Sequence, residues 1–168
     1  MSKMFYNKDG DTIMVHSLNK GKSFEREIAN FLTDQTGVKW HRVPQSGAFS
    51  TVNKSEDPRF DGDVFTEDEK FQGVVIECKS NKNIVDLNML FNRKSLFWKW
   101  VEQASSESKG KRWLLFVKIT RKGTWVVSKD MQDLKSLGLL TTKSLRLTLN
   151  DETDLKFPSP TLLLTQIR

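Results

Sequence analysis

Apolar side chains recur at Phe24, Ile28, Phe31 and Leu32, a three-and-four spacing that gathers them on one side of a helix, and Gly37 follows as its stop. The pattern predicts a first helix from Gly21 to Gln35. "VKWHRVP" alternates and predicts a short strand over 38–43, and the stretch "QSGAFSTVNKSEDPRF" is punctuated by Gly, Ser and Pro as a loop. "DGDVFT" and "GVVIECKS", joined through "EDEK", read as a hairpin whose second strand has a buried face. "DLNMLFNRKSLFWKWVEQASSES" reads as one long amphipathic helix with Leu87, Leu90, Phe91, Trp98 and Val101 on one side. "WLLFVKI" and "TWVVS" are two further strands around the turn "TRKGT", and "KDMQDLKSLG" is a short helix. "SLRLTL" and "TLLLTQI" are two more strands, separated by a polar, proline-containing loop.

This order predicts an α/β domain with a central mixed sheet flanked by helices. A chain of 168 residues is expected to form one domain, 1–168, with a core over about 20–130 and a C-terminal extension over about 131–168.

Charge narrows the partner. The 27 Lys and Arg against 21 Asp and Glu give a net charge of +6, and 37% hydrophobic residues exclude a disordered basic tail. A folded basic domain suits a polyanion, because neutralising phosphates releases their counterions. Cys78 is the only cysteine, so no intramolecular disulfide forms, and no Cys/His cluster has zinc spacing. No charged leader precedes an apolar stretch, and no run approaches about 18 apolar residues. A cytoplasmic setting is expected.

The chemistry concentrates at the end of the hairpin. Alternation along a strand places Val75, Glu77 and Lys79 on one face and Val74, Ile76 and Cys78 on the other. Asp63, on the neighbouring strand, can approach Glu77 across the hairpin. Two such carboxylates repel unless a cation sits between them, and a hard divalent ion such as Mg2+ takes oxygen ligands from one or two carboxylates. The backbone carbonyl of Cys78 is a third candidate ligand, and Lys79 would face the nucleophile and a scissile phosphate. Five acid-x-Lys triplets occur in the chain, so the triplet alone says little. Only Glu77/Lys79 ends an apolar run with "DGD" just upstream.

These residues bring a family resemblance into view. "KGKSFERE" resembles the first-helix signature of the archaeal-type Holliday junction resolvases, "RVPQSGAF" their Arg and Ser-Gly loop, and "DGDVF…VVIECKS" their Asp and Glu-x-Lys core. These resolvases are members of the PD-(D/E)XK nuclease superfamily. The resemblance covers residues 20 to 80, continues more loosely through "RKSLFWKWVEQA" and "WLLFVKI", and stops near Lys129. It implies a restriction-endonuclease-like core, Glu25 as a further metal-site acid, Asp63 and Glu77 as direct ligands, and Lys79 as the catalytic lysine. Arg26, Arg42 and Ser46, with Lys20 and Lys22 in the same signature, would contact DNA. It also implies Mg2+ or Mn2+, branched or duplex DNA as partner, and a homodimer cutting four-way junctions to 5′-phosphate and 3′-hydroxyl ends. Gly62 stands where the superfamily's name has proline, and the stretch from Gly47 to Phe60 is long for the family.

Other readings compete. The same core serves nicking, mismatch and restriction-type nucleases, and it can persist as an inactive nucleic-acid-binding module. Glu27 is the reserve for Glu25, but one helical position turns a side chain by roughly 100°, so both cannot aim at one ion. His16 and His41 lack partners at ligand spacing, and "LFWKW" reads as packing rather than as a base-stacking platform. The basic turns "SKGKR" and "ITRKG" are ordinary solvated loops or walls of a DNA groove. Cys78 points away from Lys79 and is not expected to act as a nucleophile.

Overall fold

The computed structural model describes residues 5–6, 12–13, 16–44, 60–81, 87–92, 94–119, 122–139, 144–148 and 161–167. Strands β1 (Phe5–Tyr6) and β2 (Thr12–Ile13) form a small antiparallel ribbon that the sequence did not announce. Helix α1 spans His16–Thr36, starting five residues before the predicted Gly21. Gly21 is tolerated inside the helix, where a glycine costs about 1 kcal/mol, and does not begin it. Phe24, Ile28 and Leu32 are buried as the periodicity requires, and Gly37 ends the helix with φ +72° and its N–H donating to the Thr33 carbonyl.

Two threonines fasten the end of α1 to strand β3 (Trp40–Arg42). The Trp40 amide donates to Thr33 Oγ1 at 3.0 Å and its indole Nε1 to Thr36 Oγ1 at 3.0 Å. Thr33→Val would leave the Trp40 amide without that acceptor. The expected loss is about 1–3 kcal/mol in urea unfolding, and no loss would mean water replaces the hydroxyl.

β4 (Val64–Thr66) pairs antiparallel with β3, and β5 (Val74–Ser80) pairs antiparallel with β4 through Val64↔Ile76, so the hairpin forms as expected. The connection carries a short 3-10 turn over Glu69–Phe71, capped by Asp68, whose Phe71 packs on Trp40 at 5.6 Å between ring centroids.

From β5 the chain crosses through α2 (Leu96–Glu107) to β6 (Arg112–Ile119), which lies parallel to β5. The predicted long helix is broken: a 3-10 turn covers Leu87–Phe91, and α2 begins only after Ser95. Asn92 Oδ1 accepts from the Lys94 amide at 3.0 Å and the Ser95 hydroxyl donates to the Met89 carbonyl at 2.9 Å. Such local bonds offer the backbone an alternative to a continuous helix. Phe97 and Trp98 are buried, so "LFWKW" packs as read.

β7 (Gly123–Ser128) returns antiparallel to β6, and Asp130 caps α3 (Met131–Ser136). β8 (Ser144–Thr148) and β9 (Thr161–Ile167) extend the sheet beyond β7 to give a seven-stranded order β3-β4-β5-β6-β7-β9-β8. One core layer sets Phe24, Ile28 and Leu32 of α1 and Leu134 of α3 against Ile76, Leu114 and Phe116. The other sets Phe97, Trp98 and Val101 of α2 against Val75, Leu115 and Val117. β6 is buried on both faces, hence its unbroken apolar run. The result is the restriction-endonuclease-like α/β core expected from the sequence. Among the described residues no helix is long and apolar enough to cross a membrane.

Candidate active site

The end of β5 sits between these layers. Val75 belongs to the α2 layer, and Val74, Ile76 and Cys78 to the α1 layer, so Glu77 and Lys79 share the α2 side as strand alternation required. Glu77 is only 4% exposed, and its Oε2 lies 3.2 Å from Lys79 Nζ.

Asp63 holds the gap between β4 and β5. Its amide donates to the Ile76 carbonyl at 2.7 Å, its carbonyl accepts from the Val43 amide at 2.9 Å, and its Oδ2 accepts from the Cys78 amide at 2.9 Å. Past the Val64↔Ile76 pair, then, an acidic side chain rather than a strand carbonyl takes the next β5 donor. Gly62 allows this: it has φ +100° and a bridge to Ile76, a conformation closed to proline, whose φ is fixed near −65°. The departure from the superfamily's proline therefore has a local backbone cause.

Burial pushes the Glu77 carboxyl up to about 7, the nearby Asp63 charge adds to the rise, and Lys79 opposes it. Burial works against the Lys79 ammonium, but Glu77 and Asp63 outweigh it and hold the group above its ordinary value. At neutral pH Lys79 therefore supplies positive charge rather than a free base. The Cys78 thiol is driven well up by burial and then by Asp63, Glu77 and Glu25, leaving a neutral thiol on the α1 side.

Glu25, on α1, is buried at 9% exposure and accepts from Arg42 Nη1 at 3.1 Å. Its effect on Cys78 places it near the end of β5, but among the described residues no three Asp, Glu, His or Cys side chains gather closely enough to hold a metal ion. The donors that fit a hard cation are the acidic pair Asp63 and Glu77, whose mutual repulsion a cation would relieve, with the Cys78 carbonyl beside them. Glu27, the reserve acid, is 2.6 Å from Lys118. Arg26 and Lys22 are exposed on α1, as is His41 on β3, where it packs against Phe65. Lys20 lies in α1 with its side chain outside the described residues, and Ser46 lies outside them altogether.

One group beside the site was not anticipated. Asp61 Oδ1 is 3.1 Å from Lys109 Nζ and Asp61 Oδ2 is 2.6 Å from Lys111 Nζ. Burial raises the Asp61 carboxyl, and the two lysines outweigh it, leaving it below its ordinary value. The basic turn was visible in sequence. Its acidic partner, 48 and 50 residues away, was not.

A mixed sheet flanked by helices, with an acid-x-Lys strand end and a second acid close enough to act on it electrostatically, is the architecture of a PD-(D/E)XK-type nuclease. Comparison with known sequences agrees: residues 16–154 match the family described as "Phage putative PDDEXK endonuclease", and the chain belongs to that family. It is also similar to Protein D14 of Escherichia phage T5, with 31% identity over 125 residues, 71% of this chain and 74% of that protein. No solved structure matches the chain significantly.

Proposed function

We propose that the chain is a divalent-metal-dependent, structure-selective DNA endonuclease that hydrolyses phosphodiesters at four-way junctions, leaving 5′-phosphate and 3′-hydroxyl ends. The observation that carries this reading is the buried Glu77 carboxyl, raised to about 7 beside Asp63 and 3.2 Å from Lys79. Asp63, Glu77 and the Cys78 carbonyl are the groups that would hold Mg2+ or Mn2+, with Glu25 as the further acid. The bound ion would supply charge neutralisation and acidify water for in-line attack.

The chain's own groups do the rest. Lys79, held as an ammonium, stabilises charge on the attacked phosphate. Arg42, with Arg26, Lys22, Lys20 and Ser46, contacts the backbone, and a phosphate drawing Arg42 away from Glu25 would release that acid toward the centre. Opposed cuts across a junction call for two centres, hence a homodimer. The match to a phage family supports a place of work in the host cytoplasm, where a DNA substrate would be met.

The test is a panel of labelled four-way junction, flap, mismatch and linear duplex, with and without Mg2+ or Mn2+. Junction cleavage that needs the ion is expected, and Asp63→Asn should lose it by roughly a hundredfold or more while still binding the junction. Preference for flap, mismatch or linear duplex would move the chain to the nicking, mismatch or restriction-type reading. No cleavage of any substrate would make it a binding module.

A further inference from the structure

The turn after α2 grips an anion from within the molecule. Its two ammonium groups each take one oxygen of the Asp61 carboxylate, at 3.1 Å from Lys109 and 2.6 Å from Lys111. A phosphodiester offers the same partner, a negatively charged pair of oxygens on one atom.

The turn is held by its own backbone and by neighbouring serines. Lys109 has φ +52° and Gly110 φ +84°, and Lys109 is the non-glycine residue with positive φ among the described residues. A lysine there is a conformational cost that the surroundings must hold in place. The Lys109 amide donates to Ser106 O at 3.3 Å and the Lys111 amide to Ser108 O at 2.9 Å. Ser108, 1% exposed, donates its hydroxyl to Ser105 O at 2.8 Å.

Its position ties it to the cleavage centre. Glu107, two residues before Lys109, acts electrostatically on both Glu77 and Lys79. Asp61 is two residues before Asp63. The Lys109 side chain is 71% exposed, so its ion pair is screened by water and easily exchanged.

We propose that Lys109 and Lys111 form a phosphate seat for the DNA backbone beside the cleavage centre, and that Asp61 fills this seat in the free protein and is displaced when DNA docks. The proposal rests on the endonuclease reading and adds to it a built-in competitor. Asp61 would keep other anions off the seat, and only a strand placed by the rest of the surface would dislodge it.

The experiment measures binding of a fluorescein-labelled four-way junction and a linear duplex to the full chain in EDTA over graded KCl, so that cleavage plays no part. Lys109→Asn keeps a residue that tolerates positive φ and removes the charge. It is expected to weaken binding about threefold to tenfold and to lower the slope of log affinity against log salt by about 1. Lys111→Gln should do the same. Asp61→Asn should tighten binding a few-fold, because the competitor is gone, and this sign separates a displaced anion from a mere structural pin.

Unchanged salt slopes in both lysine variants, or weaker binding by Asp61→Asn, overturns the proposal. If the parent still cleaves junctions with Mg2+ in that case, the endonuclease reading stands without it. A parent that binds neither DNA in EDTA and cleaves neither with Mg2+ overturns both.

Discussion

Glu77→Gln is expected to abolish ion-dependent cleavage, by roughly a hundredfold or more, and at the same time to make the protein more stable at pH 8 in EDTA. Both effects come from one carboxyl. In the folded chain burial and Asp63 raise Glu77 from 4.5 to about 7, with Lys79 opposing. Between those values the folded state holds the proton that the unfolded state has released, so stability falls as pH rises through this window and is lowest above it. The full shift, in which the Lys79 attraction is already counted, corresponds to about 3 kcal/mol, and a buried donor of the glutamine amide left without an acceptor takes back part of it. A net gain of about 1–2 kcal/mol for the glutamine variant is expected at pH 8, a few degrees in melting temperature, and little or none at pH 5. Mg2+ should stabilise the parent at pH 8 and the variant far less, since a ligand that binds the folded state alone shifts the equilibrium toward it. Urea unfolding at the two pH values, with and without Mg2+, reads all of this. A variant that cuts as the parent does, or that is less stable at pH 8, would remove Glu77 from the centre.

The strand geometry behind that prediction was legible because alternation is a local rule. Knowing that 74–80 is a strand fixes Glu77 and Lys79 on one face and Cys78 on the other, and the hairpin brings Asp63 alongside. The first helix was legible from its apolar stripe, but not its start, which depends on residues before Gly21 that carry no such stripe. The break between the 3-10 turn and α2 hid inside an acceptable helical pattern because two side chains, Asn92 and Ser95, bond locally there instead of following the periodicity. Least legible were ion pairs between distant segments. Arg42 meeting Glu25 and Asp61 meeting Lys109 and Lys111 depend on how α1, the hairpin and the turn after α2 are set against the sheet, which charge spacing does not encode. The last two strands were readable one by one, yet their place beyond β7, in the order β9 then β8, follows from pairing that no single segment specifies.

The remaining large effect concerns a residue without a side chain. Gly62→Ala is expected to cost about 2–4 kcal/mol and to reduce cleavage by roughly a hundredfold, although the substitution adds one methyl group. A Cβ at this position would stand 2.6 Å from the Ile76 carbonyl oxygen, 3.1 Å from the Ile76 amide nitrogen and 3.1 Å from Val75 Cγ1, on a backbone with φ +100°. Two of those atoms are main chain of the strand that carries Glu77, so relief requires the Gly62 segment to retreat from β5. Asp63 would move with it and lose its bonds to the Ile76 carbonyl and the Cys78 amide. Gly73→Ala is the matched control: it also has positive φ, +79°, but nothing lies within 4 Å of the new carbon. It should cost only the backbone strain, about 1 kcal/mol, and leave cleavage nearly intact. Urea unfolding and junction cleavage of the two variants separate clash from strain. If the pair behaved alike, the close approach of Gly62 to β5 would not be what sets Asp63 in place.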